Sequence, residues 1–262
     1  MRSVFALLVF VLALGFGGGA RAQSALQTLS TGDATRGWEA VGRLNLGKGS
    51  FCTGTLIEPD LVLTAAHCLF DPATGKMFTA DQIEFRAGWR NGRAVAYRKV
   101  RSAVAHPDYA YQGADRFDRV AWDIALVQLA QPIRLPQLVP IPLSHAPKAG
   151  DQVGVVSYSH DRAEAPSLQK RCEVISRNSG VVLMDCNADF GASGSPVFSV
   201  ASGHPEIVSV VSAKAQFREK DVTLGTLIDH VADLRAALEA RNPGDNARQM
   251  IRSGGAKFIR AN

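Results

Sequence analysis

Beyond its first 22 residues the chain has no apolar run near the roughly 18 to 20 residues that a membrane-spanning helix needs. That excludes a body held in a bilayer by helices, and no stable membrane insertion is expected. Cysteine is sparse as well: there are four, and no two form a Cys-x2-Cys pair, so the spacing gives a structural zinc site no support. Charged residues make up only 20% of the chain, with no basic helix and no basic stripe interleaved with aromatics. Nucleic acid is therefore not an expected partner. Neither a metal nor another cofactor is implied by any motif.

What is present describes an exported globular protein. Hydrophobic residues are 46% of 262, ample for a sizeable core. Residues 1–22 read as a secretory signal: Arg2 gives the positive start, residues 4–16 are almost wholly apolar, and Ala20, Arg21 and Ala22 fit a small-x-small cleavage site. The competing reading is a retained N-terminal anchor. Cleavage would start the mature chain near Gln23 and lower the formal charge from +5 to +3, with 27 basic residues against 24 acidic. The expected location is secreted or periplasmic. In an oxidising compartment Cys52, Cys68, Cys172 and Cys186 form disulfides, for which the sequence allows three pairings.

Residues 23–37 are small and polar, a candidate pro-segment or N-terminal arm. Short strand-like runs then recur at residues 38–46, 53–57, 61–64, 83–87, 95–104, 124–129, 153–158, 181–185, 196–200 and 207–212, separated by turn residues. Such spacing predicts all-β barrels or sandwiches. Residues 131–150 break the rhythm with five prolines (Pro132, Pro136, Pro140, Pro142 and Pro147) and read as an extended crossing between two halves. Near the end, Thr226 with Asp229 resembles a capping box. Leu227, Val231, Leu234 and Leu238 follow at helical spacing, and Pro243-Gly244 stops the pattern. Residues 243–262 form a polar, basic tail.

The chemistry starts at Asp189-Phe-Gly-Ala-Ser-Gly-Ser-Pro-Val-Phe198, where Ser193 sits between two glycines. Such a turn exposes a hydroxyl, and the glycines let the backbone N–H groups of Gly191 and Ser193 aim at one oxyanion. Taken alone this is a common turn composition. A serine that attacks carbonyls also needs a base and a group to orient that base. Leu63-Thr-Ala-Ala-His-Cys68 offers His67, and Ala121-Trp-Asp-Ile-Ala-Leu-Val-Gln-Leu129 offers Asp123 at the head of an apolar strand.

In this order and with these flanks, the three segments resemble the trypsin/chymotrypsin-like serine proteases. The Gly-Ala-Ser-Gly-Ser-Pro form, with Ser195 after the second glycine, is most similar to the bacterial secreted branch that includes glutamyl endopeptidases. The resemblance spans roughly residues 38–232. It implies His67 as base, Asp123 as its orienter and Ser193 as nucleophile in a secreted endopeptidase acting on polypeptides. It implies two antiparallel six-stranded β-barrels, the first at about 38–130 and the second at about 151–242, with a C-terminal α-helix packed on the second. It selects the pairings Cys52 to Cys68 and Cys172 to Cys186, each closing a loop worth ~3 kcal/mol in the chain-entropy account. A monomer is expected.

The family pattern also locates a substrate pocket and shows where this chain departs from it. Asn187 falls at the pocket floor where trypsins carry an acid, which disfavours Arg or Lys there, because a buried guanidinium without a carboxylate is costly. On the wall, Val211 stands in place of the histidine that glutamyl endopeptidases use. Ser212 is positioned to bond Asp123, and Lys214 occupies a position usually taken by glycine, where it would narrow the pocket or attract an acidic side chain. Ala192 replaces the aspartate that holds a newly cut amine in animal relatives, so that activation switch is not expected. The alternative is an exported non-catalytic binding protein on the same scaffold.

Overall fold

The computed structural model describes residues 24–111, 116–189 and 191–241. The expected leader, the basic tail and the Pro243-Gly244 stop lie outside the described residues.

The chain opens with a two-residue strand, β1 (Gln27–Thr28), followed by β2 (Val41–Leu46), β3 (Ser50–Glu58), β4 (Leu61–Thr64), β5 (Ile83–Ala87), β6 (Ala96–Ala105) and β7 (Ala125–Leu129). Strands β2 to β7 close a barrel in the order β2-β3-β4-β7-β6-β5. In β5 the period-two alternation is clean: Ile83, Phe85 and Ala87 are buried, while Glu84 and Arg86 lie nearer the surface. A short helix, α1 (Arg116–Ala121), leads into β7.

The second barrel is built from β8 (Gln152–Ser159), β9 (Arg162–Asn178), β10 (Val181–Met184), β11 (Pro196–Ser199), β12 (Glu206–Phe217) and β13 (Lys220–Leu227). Its order is β9-β10-β13-β12-β11-β8, closed by pairing of β8 with β9; β1 adds to the edge of β9. Two closed six-stranded antiparallel barrels thus make a chymotrypsin-like fold. Residues before the first barrel are docked: Ser24 N–H donates to Arg171 O at 2.9 Å, and Leu29 is buried in the core.

The proline-rich stretch is hydrogen-bonded to both barrels. Ile133 N–H donates to Pro59 O (2.6 Å) and Ile141 N–H to Leu56 O (3.0 Å) on the first barrel. Further on, Ser144 N–H reaches Ile207 O (2.8 Å) on the second. Ile133, Leu138 and Ile141 are buried, so it is anchored along its length.

Two local expectations need correction. The helix starts later than the Thr226 signature indicates: α2 spans Val231–Arg241 and buries Val231, Leu234 and Leu238. Thr226 and Leu227 instead end β13, and the Thr226 hydroxyl donates to Val120 O at 2.6 Å rather than capping a helix. Pairing of Thr226 with Val181 and Val210, and of Leu227 with Ser209, holds both residues in the sheet. The helix also lies across β6 and β7 of the first barrel. Arg235 pairs with Glu58 on β3, and Arg241 Nη1 donates to Ala103 O at 2.8 Å on β6.

Candidate active site

His67 lies on a one-turn 3-10 helix, Ala66–Leu69, directly after β4. Its neighbour Cys68 is bridged to Cys52 on β3, which ties this turn to the barrel wall. Asp123 sits between α1 and β7, its N–H donating to Val120 O at 3.2 Å. Its side chain is only 4% exposed. A buried carboxylate needs partners, and this one has three donors. Oδ1 accepts the His67 backbone N–H at 2.8 Å; Oδ2 accepts from His67 Nδ1 at 2.7 Å and from the Ser212 hydroxyl. Gripping His67 by both backbone and ring fixes the imidazole's direction and its tautomer.

Burial disfavours a charged imidazole, but the Asp123 charge and hydrogen bond outweigh it, so His67 titrates above its ordinary value of 6.5. His67 Nε2 lies 3.8 Å from Cys68 Sγ. Among the described residues no hydrogen bond joins Nε2 to Ser193; catalytic contacts of this kind commonly tighten only when substrate is bound.

Ser193 lies on the loop between β10 and β11, partly exposed between two glycines with left-handed backbone, Gly191 at φ 97° and Gly194 at φ 79°. A Cβ on Gly194 would sit 2.2 Å from both Thr53 O and Thr64 Oγ1, so no other residue fits there. Neither the Gly191 nor the Ser193 N–H has a hydrogen-bond acceptor among the described residues. Ser195, the other serine of the motif, is fully buried with its hydroxyl unpartnered among the described residues.

A residue that sequence reasoning passed over holds this loop. Thr53, wholly buried on β3, accepts the Tyr158 N–H at 3.0 Å through its hydroxyl and donates to Gly191 O at 3.1 Å. Its own N–H donates to Ser193 O at 2.9 Å, and Thr64 Oγ1 donates to Thr53 O at 2.9 Å. One threonine of the first barrel thus positions the serine loop of the second. No local pattern in the sequence marks it.

Of the residues expected to line a substrate pocket, Val211 is bonded directly to this loop. Val211 is buried, and its N–H donates to Ser195 O at 2.9 Å while its carbonyl accepts Gly194 N–H at 2.8 Å. Asn187 is exposed, and its N–H donates to Gln169 Oε1 at 2.8 Å. Lys214 is half exposed with Nζ 3.6 Å from Asp189 and 3.1 Å from Asp221. Hydrogen bonding to Asp221 and both carboxylate charges raise its pKa. Below it, Thr223 Oγ1 donates to Cys186 O at 2.6 Å, and Cys172 to Cys186 forms the second disulfide.

The one grouping of three metal-ligating side chains among the described residues is Cys52, His67 and Cys68. The disulfide consumes two of those donors, because a bridged sulfur is not a thiolate. No helix of the described residues is long and apolar enough to cross a membrane.

Two six-stranded barrels with an imidazole-carboxylate pair on one and a glycine-flanked serine on the other define the chymotrypsin-like class. The chain belongs to the Trypsin family, whose model matches residues 31–233. Among curated proteins it is 31% identical to a trypsin of Sarcophaga bullata over 90 residues, which are 34% of this chain and 31% of that protein. It is 29% identical to a modular serine protease of Drosophila melanogaster over 152 residues, covering 53% of this chain and 24% of the relative. A third relative, serine protease 23 of Bos taurus, is 27% identical over 56% of this chain and 43% of its own length. The chain therefore spans less than half of these relatives. A solved structure of a Glu endopeptidase in complex with MPD superposes with a TM-score of 0.66 at 17% identity, covering 82% of this chain and 96% of that one, a likeness of fold.

Proposed function

We propose that the protein is an exported serine endopeptidase in which Ser193, His67 and Asp123 act as a triad. The observation that carries this is the grip of Asp123 on His67 at two atoms, which orients the ring and leaves Nε2 as its basic nitrogen. In the proposed cycle His67 Nε2 takes the Ser193 hydroxyl proton as Oγ attacks the scissile carbonyl. The oxyanion is received by the N–H groups of Gly191 and Ser193. His67 then gives its proton to the leaving amine, and a water repeats the sequence on the acyl-enzyme, releasing the acid and regenerating Ser193. Asp123 holds the ring in place and stabilises the imidazolium. Two disulfides support an oxidising, extracytoplasmic location.

The test is reaction of the folded mature protein with a fluorophosphonate, followed by peptide mapping. One adduct on Ser193, lost in Ser193→Ala and kept in Ser195→Ala, is the expected result. Absence of any adduct would leave the reading of a non-catalytic binding protein on this scaffold.

A further inference from the structure

A buried amide side chain joins the N-terminal arm to the segment that enters the serine loop. Gln169 on β9 is 1% exposed, and an amide buried that deeply needs a partner at each end. Both partners are backbone groups: Oε1 accepts the Asn187 N–H at 2.8 Å, and Nε2 donates to Ser24 O at 3.2 Å. The arm is fixed at the same place by other bonds. Ser24 N–H donates to Arg171 O at 2.9 Å, and Ser24 Oγ accepts the Arg171 N–H at 2.9 Å. From there the arm follows the edge of β9, with Gln27 opposite Leu168, Thr28 opposite Ser167, and Leu29 N–H on Pro166 O at 2.8 Å. On the other side of Gln169, the main chain leaving β10 is held residue by residue. Asp185 N–H donates to Glu173 O at 3.1 Å, Cys186 is bridged to Cys172 and accepts the Thr223 hydroxyl, and Asn187 is held by Gln169. Among the described residues, the next hydrogen bond from another strand to this main chain is that of Thr53 to Gly191 O at 3.1 Å. Gln169 is therefore the last of these anchors before the turn that carries the Gly191 and Ser193 N–H groups.

We propose that Gln169 is a positioning residue that couples docking of the N-terminal arm to the geometry of the oxyanion turn, which makes the arm a working part of the domain rather than a removable pro-segment. The effect on rate rests on the peptidase reading, but the coupling itself does not. The bridge needs a group that accepts at one end and donates at the other, because a backbone N–H only donates and a carbonyl only accepts. A glutamine amide does both, and an apolar side chain of the same length does neither. With the arm in place, Ser24 holds the amide, which then offers Asn187 a fixed acceptor. Without Ser24, Nε2 loses its partner, the amide turns away, and Asn187 is released four residues before Gly191. A small displacement there matters, because an oxyanion donor works only within a narrow range of distance. Ala192 offers no carboxylate to a terminal amine, so the arm acts on this loop through a side-chain amide and not through a terminal charge.

The experiment compares the mature protein starting at Gln23 with a chain starting at Ala25, with Gln169→Met, and with the two changes combined. Methionine keeps the length of glutamine and removes both hydrogen bonds. Starting at Ala25 removes Ser24 and keeps the β1 pairing and the buried Leu29. Hydrogen exchange at the Asn187 amide is followed by NMR, thermal unfolding reports on the fold, and kcat and KM are measured per titrated active site. Exchange at Asn187 should be at least about tenfold faster in both single variants, since its bond then opens locally. In each, kcat should fall at least about fivefold with KM unchanged, because an oxyanion donor acts in the transition state. The combined variant should lie within about twofold of the weaker single one, because both changes break one link. A purely structural role predicts a lower Tm with wild-type kcat per titrated site. That result, unchanged Asn187 exchange in the chain starting at Ala25, or kcat losses that multiply overturns the proposal. If the protein starting at Gln23 neither turns over nor labels with a fluorophosphonate, the peptidase reading fails, while faster Asn187 exchange in the shortened chain still upholds the coupling.

Discussion

Replacing Thr53 by valine keeps the shape of a wholly buried side chain and removes one hydroxyl. That hydroxyl serves two backbone groups in different parts of the second barrel, the Tyr158 N–H at 3.0 Å and the Gly191 carbonyl at 3.1 Å. In Thr53→Val both groups stay buried and lose their partner. An unsatisfied buried polar group costs about 1 to 3 kcal/mol, so the pair should cost about 2 to 6 kcal/mol. For a domain of this size that lowers Tm by roughly 4 to 24 °C. The function should suffer separately, because Gly191 carries one of the two proposed oxyanion N–H groups. Losing one such donor costs roughly 100-fold to 1000-fold in kcat, and partial misplacement should approach the lower figure. Thr55→Val is the internal control: Thr55 is on the same strand, equally buried, with a hydroxyl that has no partner among the described residues. It should be neutral or mildly stabilising. Denaturant unfolding and kcat per titrated active site decide the matter, and equal effects of the two substitutions would refute the role given to Thr53.

Two pH effects of opposite sign follow from the histidines. His67 titrates above 6.5, so its base form is fully present only at higher pH, and the acid limb of kcat/KM should fall above that value. Asp123→Asn should move the limb to lower pH while depressing the rate; an unshifted limb would mean that another group controls it. His106 is buried, stacked on Trp122 with ring centroids 4.7 Å apart, and faces His230, Asp108 and Asp233. Burial first, and the His230 charge second, lower its pKa despite both carboxylates. The unfolded chain then binds the proton more tightly, so this stabilisation is full above the unfolded value of about 6.5 and is lost as pH falls towards the folded one. His106→Gln should therefore lose less stability than wild type between pH 7.5 and 5.5, and parallel losses would exclude the effect.

The proposed catalytic residues were legible because the chemistry restricts residue type at each point: a glycine where φ is positive, a histidine after a strand, an aspartate at the head of an apolar strand. The two longest gaps in the strand reading had a different cause. β9 contains Pro166 and is rich in charged and small residues over its 17 positions, so its sequence has little strand character. It forms because β8, β10 and β1 supply hydrogen-bonding partners. β13 likewise carries Gly225 at its centre, where a Cβ would lie 2.4 Å from Ser209 Oγ, so tight approach of β12 dictates the residue and erases the local signal. The Lys214 ion pairs were the least legible because nothing in them is local. Lys214 is 25 positions from Asp189 and 7 from Asp221, and their meeting depends on the β12–β13 register after a shift between Val211 and Ala213. Displacing that register by one residue would turn Lys214 to the opposite face and leave Asp189 without it. The pairing of Lys214 is thus set by strand register, a tertiary quantity, while the proposed triad is marked by residue type, and only the second is written in short motifs.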